Sequence, residues 1–218
     1  MTFVPVSNWI GGYLKCSFLK EYPSVIIHNG IDTDLFHPQN QTEKNQKFKV
    51  LGVASVWDKS KGFEDFIELS KMISSDMQVV LVGVKKEQIK LLPDNIVAIE
   101  RTNSVSEIVN LYAASDVFIN LTYADTFPTT NIEALACGTP VITYRTGGSP
   151  EAITEDTGFV VNQGDLKAVI EAIEIIRQKG KNHYSAKCRE RAVKHFRKED
   201  RFMDYINLYD SILEHKTM

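Results

Sequence analysis

The chain predicts an α/β fold: a Rossmann-like parallel sheet of about six strands flanked by helices, with a helical C-terminus. Two observations carry that expectation. Short apolar runs of strand length alternate with longer stretches of helical period, the pattern of successive βα units. After residue 165 the apolar runs stop and only helical patterns remain. Taken in order, residues 3–6 read as a short strand, 7–19 as a helix and 24–28 as a second strand. Residues 39–47 are polar without an apolar side chain and predict a surface loop. Buried strands follow at 48–54, 79–82, 96–99, 117–120, 141–144 and 158–161, with helices between them at 62–74, 85–91, 105–114 and 131–137. The first of these helices sets Phe63, Phe66, Ile67, Leu69 and Ile73 at helical spacing, with Glu64, Asp65, Glu68 and Lys71 toward water. The terminal helices are expected at 165–178, 185–195 and 201–215.

Composition narrows the function classes. A net charge of −3 over 218 residues gives no sign of nucleic-acid binding. Three cysteines, Cys16, Cys137 and Cys188, are odd in number and unpaired in spacing, which argues against a disulfide framework and for a reducing, cytoplasmic setting. No apolar run approaches the roughly 20 residues of a membrane helix, and the first residues lack a signal-peptide pattern. Phosphate-loop, serine-hydrolase elbow, zinc-protease and Cys/His metal-ligand spacings are all absent.

The chemistry concentrates at residues 125–140. Asp125 and Glu133 stand eight positions apart, the first in a loop leaving a strand and the second just inside the next helix. Between them Thr129, Thr130 and Asn131 suit a helix start whose first N–H groups point outward. Such an end attracts a phosphate or diphosphate. The flanking carboxylates can accept hydrogen bonds from sugar and ribose hydroxyls, so the segment predicts a site for a nucleoside diphosphate-sugar.

The same segment resembles the paired-carboxylate signature of retaining glycosyltransferases with the GT-B fold, in the large group called family four. Val25-Ile26-Ile27-His28-Asn29-Gly30-Ile31-Asp32 with Phe36 and Pro38, then Lys61-Gly62, Ala136-Cys137-Gly138-Thr139-Pro140-Val141-Ile142, and Gly147-Gly148-Ser149-Pro150-Glu151 resemble further family motifs in the family's order. The resemblance covers about residues 3–165 and implies the C-terminal, donor-binding half of a two-domain enzyme. Residues 1–38 would end the other domain and form the linker, 39–198 would be the nucleotide-sugar domain, and 199–218 the terminal helix.

By the same resemblance, Asp125 contacts hydroxyls of the donor sugar and Glu133 the ribose, and Lys61 neutralises the departing diphosphate. Lys59 is a second cation in that loop. On the donor side Phe127 and Pro128 stiffen the loop, Thr129, Thr130 and Asn131 offer backbone N–H groups, and the threonines their hydroxyls, to the phosphates, and Glu100 and Arg101 lie where the base is cradled. Two departures stand out: Asp125 is shorter than the usual Glu, and Val56 replaces an arginine expected five residues before Lys61. His28 is expected to pack rather than react, Trp57 to pack, and residues 149–151 to be structural.

The function implied is hexose transfer from a UDP- or GDP-sugar to a glycan or lipid-linked glycan in cell-surface polysaccharide or lipopolysaccharide assembly, with no cofactor and no metal. The alternatives are a nucleotide-binding module inactive by itself, or a nucleotide-sugar epimerase or sugar phosphorylase. Residues 181–201 carry eight Lys and Arg side chains against three acids. That face is expected either to be solvated or to make peripheral contact with an anionic membrane surface.

Overall fold

The structure is a computed structural model, which describes residues 1–39 and 47–214. The polar loop expected over 39–47 and the end of the last helix at 215 therefore fall almost wholly or wholly outside the described residues. Six parallel strands form one sheet: β1 (Phe48–Val53), β2 (Met77–Val82), β3 (Ile96–Ile99), β4 (Val117–Asn120), β5 (Val141–Tyr144) and β6 (Gly158–Val161). Their order across the sheet is β3-β2-β1-β4-β5-β6. β1 aligns Phe48 with Met77 and Val53 with Val82 on one side, and Val50 with Val117 on the other. The chain thus winds outward from β1 in one direction, returns to β4 and winds outward in the other. In such a sheet the crevice for ligands opens at the carboxyl ends of the two strands where the winding reverses, which here are β1 and β4.

The helices are α1 (Asn8–Lys15), α2 (Phe63–Met72), α3 (Lys86–Ile89), α4 (Val105–Ala114), α5 (Thr129–Ala136), α6 (Leu166–Lys179), α7 (Lys181–Phe196) and α8 (Lys198–Glu214). Capping sets several starts. Ser104 accepts from the Glu107 N–H and Asp165 from the Ala168 N–H, each satisfying a backbone donor the first helical turn leaves unpaired. α2 follows Gly62, whose φ of 72° belongs to the left-handed region; a Cβ there would lie 2.3 Å from the Leu121 carbonyl. Phe66, Leu69, Val50, Leu51, Val79, Leu81, Phe118 and Ile119 fill the core between α2, α4 and the sheet. Trp57 joins them, with its indole N–H donating to the Val82 carbonyl at 2.9 Å, as its packing role requires.

Four strands and α4 have the expected bounds, and the departures have local causes. The two strands expected in the first 28 residues reduce to a single parallel bridge, Phe3 with Ser24, beside backbone bonds from Val25 and Ile27 to the Phe3 and Pro5 carbonyls. A two-membered pairing with no third strand is too short to build a ladder. α1 stops at Lys15 because the Ser17 hydroxyl takes the Leu14 carbonyl and accepts from the Leu19 N–H. α7 begins a turn earlier than expected because Lys181 is not a surface lysine. Its ammonium reaches inward to the Ala113 and Ser115 carbonyls at 2.5 and 2.7 Å.

The basic stretch is therefore not one solvated face. Arg189 donates to the carbonyls of Thr33, Phe36 and Ala136, fastening residues 33–36 to the end of α5. Arg191 donates to those of Ala152 and Glu151, and Lys198 pairs with Asp32. Only part of the charge counted in the sequence faces water, with Lys187 and Lys194 the exposed members on α7.

Lys181 gives a pH signature. Burial pulls its ammonium down to about 8 against 10.5 for an ordinary lysine. Between those values the unfolded chain binds more protons than the folded one, so stability rises with pH. The cost of keeping Lys181 charged is fully present below pH 8, and amounts to about 3 kcal/mol by linkage. Burial pushes the Cys137 and Cys188 thiols up to about 12, which lowers stability above pH 9, so the signature is read as a difference. In urea melts from pH 7 to 10.5 the wild type should gain stability relative to Lys181→Met, whatever constant offset the variant carries.

Candidate functional site

The carboxyl ends of β1 and β4 carry the residues that matter. After β1 the chain makes a short 3-10 turn, Lys59–Lys61, capped by Asp58, which accepts from the Lys61 N–H and the Ser60 hydroxyl. After β4, residues 121–125 run alongside that turn. The Tyr123 N–H donates to the Ser60 carbonyl at 2.7 Å, and the Thr122 hydroxyl to the same oxygen at 3.2 Å. These bonds bring together two side chains that are 64 residues apart in sequence: Lys61 Nζ donates to Asp125 Oδ2 at 2.7 Å. Both are partly buried, with side-chain exposures of 34% and 19%. Asp125 Oδ1 accepts from the Phe127 N–H at 3.2 Å, closing a local turn that feeds α5.

A third layer backs this loop. Gly147, at φ 51°, lies so close that a Cβ would stand 1.7 Å from the Asp125 carbonyl oxygen, and one on Gly148 would stand 2.0 Å from that of Thr126. The Gly148 N–H donates to the Asp125 carbonyl. Behind the glycines Glu151 accepts from the Asn8 and Trp9 N–H groups, from the Asn8 amide and from His28 Nε2. It therefore caps α1 and holds His28 against the Phe127 ring, with centroids 4.7 Å apart. Residues 149–151 and His28 are structural in this geometry, as their sequence context suggests.

α5 begins at Thr129 after Pro128, and among the described residues no side chain caps it. The expected start at Asn131 moves two residues earlier because Pro128, at φ −69°, is already set to precede a helix. Thr129 is exposed and Thr130 partly so, at the open end of the helix. Three of the residues expected on the donor side turn their side chains inward. Asn131 is fully buried between Asn120 and Ser149, which satisfy its amide. Phe127 packs on His28 and Phe196, and Pro128 is buried. These three side chains fix the shape of the loop, as expected of Phe127 and Pro128, and any contact of Asn131 with a ligand would fall to its backbone.

Glu133 lies four residues beyond Thr129, about 6 Å along the helix axis. Its Oε2 accepts from the Tyr112 hydroxyl at 2.9 Å. Burial pushes the carboxyl above its ordinary range, while hydrogen bonds from Tyr112 and Thr129 act against the rise. Glu100 and Arg101 are exposed beyond β3 and line a cavity of about 290 Å³ with Ser55, Gly83, Val84, Lys85, Lys86 and Glu87, at the ends of β1, β2 and β3. Lys59 is exposed on the same rim as Lys61, and Val56 is an exposed apolar residue there.

Sequence reasoning missed Tyr112, Asp65 and Arg189. Asp65 Oδ2 accepts from both the Tyr123 and Tyr144 hydroxyls, at 2.8 and 2.6 Å, and so ties α2 to the loop after β4 and to the end of β5. A carboxylate in the first turn of a helix reads as a dipole partner, and no local signal reveals the two tyrosines.

Comparison with known proteins agrees with this architecture. The N-acetyl-alpha-D-glucosaminyl L-malate synthase of Bacillus anthracis is 26% identical over 206 residues, covering 86% of this chain and 53% of that protein. The capsular polysaccharide biosynthesis glycosyltransferase CapM of Staphylococcus aureus is 27% identical, covering 67% of this chain and 43% of its own length. The chain thus spans about half the length of the curated relatives it matches. Among solved structures, sucrose-phosphate synthase from Thermosynechococcus elongatus superposes with a TM-score of 0.85 at 24% identity, over 98% of this chain and 59% of the other. Anabaena HepE in complex with UDP superposes with a TM-score of 0.80 at 18% identity, over 95% and 63%. These likenesses establish the fold as that of a GT-B domain, a parallel sheet flanked by helices. The profile described as glycosyl transferases group 1 matches residues 37–195, and on that match the chain belongs to the glycosyl transferases group 1 family.

Proposed function

We propose that the chain is the donor-binding half of a retaining hexosyltransferase, which moves a hexose from a nucleoside diphosphate to a sugar hydroxyl. The observation that carries this reading is Lys61 paired with Asp125, on the loop after β4 that feeds the uncapped N-terminus of α5. An ammonium and unpaired helical N–H groups together favour a diphosphate, and stabilise it further as negative charge develops on it during departure. Lys61 and the amides of Thr129 and Thr130 would take the phosphates, with Lys59 adding charge at the rim. Glu133 would accept from the ribose hydroxyls and Asp125 from those of the sugar. The cavity beside Glu100 and Arg101 would receive the base. In this arrangement the positive charge at the leaving group comes from the protein, and no metal or cofactor is required.

The bound UDP of the HepE structure supports a UDP-sugar as donor. The capsular relative supports a role in capsular polysaccharide assembly; the acceptor in this reading is a glycan or lipid-linked glycan, met at the cytoplasmic side. No described helix is long and apolar enough to cross a membrane. Peripheral contact would fall to Lys187 and Lys194 rather than to the carbonyl-bound Lys181, Arg189 and Arg191. Residues 1–38 would end a second domain that presents the acceptor. Because the chain spans half of its relatives, a narrower reading also holds weight: the chain alone binds donor without turning it over.

Calorimetric titration with UDP, GDP and ADP tests the site. Saturable binding of one nucleotide is expected, about 10- to 100-fold weaker in Lys61→Ala, as for loss of one charge-assisted contact. No binding at millimolar nucleotide would overturn the assignment. Turnover by this chain, alone and mixed with an N-terminal half, separates the two readings.

A further inference from the structure

The contact between Lys61 and Asp125 opposes the task assigned to each of them, and the geometry points to a function for that conflict. The ammonium that should bind a diphosphate is held at 2.7 Å by a carboxylate of its own protein. This is not a loose surface pair. Lys61 sits on a 3-10 turn fixed by Asp58, and that turn is bonded to residues 122 and 123 through the Ser60 carbonyl. Asp125 is fixed by the Phe127 N–H on one side and by the close backbone of Gly147 and Gly148 on the other. With both backbones anchored, the two side chains meet without rearrangement of either loop, and only side-chain rotamer freedom is lost on pairing.

We propose that Asp125 is an internal competitor for Lys61, which weakens binding of the spent nucleoside diphosphate and favours its release. The inference rests on the donor-site reading above. A diphosphate arriving at α5 must share or displace Asp125 from the ammonium. When the ligand carries a hexose, its hydroxyls offer Asp125 new donors, so the displaced carboxylate is satisfied and the exchange is nearly even. Once the hexose has left, Asp125 has no such partner beside a nucleoside diphosphate. It then returns to Lys61 and drives the anion out. The shorter side chain suits this role, since it reaches Lys61 while still accepting from the Phe127 N–H. The pair thus distinguishes intact donor from product at one cation.

The test is calorimetry on the full chain with UDP and UDP-glucose, or with the nucleotide and nucleotide-sugar of whichever base the chain binds. Asp125→Asn keeps the shape and an acceptor for the Phe127 N–H but removes the charge. It should bind UDP about 2- to 5-fold more tightly, the range for release of one partly exposed ion pair. Its preference for UDP-glucose over UDP should fall. Asp125→Ser, which also accepts locally, should behave alike and serves if the first variant folds poorly. The gain must vanish in a Lys61→Met background, a coupling that general loosening of the loop would not produce. Wild-type binding of UDP with equal or weaker binding by both variants would overturn the inference and leave the donor site standing. No nucleotide binding by any of the proteins would overturn the site and the inference together.

Discussion

Gly147→Ala should be among the most damaging single-methyl additions near the site. The new Cβ would stand 1.7 Å from the Asp125 carbonyl oxygen, at a backbone φ of 51°. The left-handed conformation alone costs a side chain about 1–2 kcal/mol, and overpacking a fixed neighbour adds about 1–3 kcal/mol. Backbone lies on both sides, so the clash cannot be relieved by rotating a side chain. The loop must move, and Asp125 and the start of α5 move with it. The expected result is a drop of about 3 kcal/mol in unfolding free energy by urea melt, together with loss of measurable nucleotide binding. Gly180→Ala supplies the control. It has a φ of 77° and a ψ of 147°, a region nearly reserved for glycine, with nothing within 4 Å of its Cβ, so it should lose stability through backbone strain without a clash and bind nucleotide normally. Equal effects of the two substitutions would mean that the close approach to Asp125 does not matter.

Glu133→Gln should separate stability from binding. Burial holds this carboxyl above its ordinary range in the folded chain, so folding favours its protonated form. The sign follows directly: the stabilisation is complete below the unfolded value of 4.5 and is lost as pH rises through the higher folded value. Once the pH passes the folded value, the wild type carries a charged Glu133 at a cost to the fold. The glutamine is nearly isosteric, still accepts from the Tyr112 hydroxyl, and carries no charge to desolvate. It should melt at the same temperature as the wild type or higher at pH 7, with the difference shrinking toward pH 4. Nucleotide affinity should fall by roughly 10- to 100-fold, since a charged acceptor for the ribose hydroxyls is replaced by a neutral one. A group held at a cost to the fold and needed for the ligand is the expected mark of a binding residue. A variant that melts lower and binds normally would assign Glu133 to the architecture.

The strands were legible because a parallel sheet covered on both faces turns each one into an unbroken apolar run. Val117–Asn120 and Val141–Tyr144 needed no tertiary information to be placed. The positions of Asp125 and Glu133 were legible because they lie on one continuous stretch, the loop after β4 and the helix α5 that it feeds. The contact between Lys61 and Asp125 was not legible, since it depends on β1 and β4 being neighbours. Nothing local to either residue reports that. The inward turn of the Phe127, Pro128 and Asn131 side chains was not legible for a related reason. Residues beside a ligand loop can face the crevice or the core, and the choice is made by partners far away, such as His28 and Ser149. The buried lysine and arginines of α7 were hidden by composition, because a cation that serves a carbonyl and one that serves water read alike in sequence.

The most direct measurement is the backbone amide spectrum of the 15N-labelled chain during titration with UDP. A diphosphate seated at Lys61 and the start of α5 should shift the amides of Thr129 and Thr130 downfield as their N–H groups gain anionic acceptors. Glu100 and Arg101 should respond to the base in the same titration. Shifts confined to another cleft, such as the one lined by Arg145, Thr154 and Lys179 along β6, would contradict the assignment of the donor site.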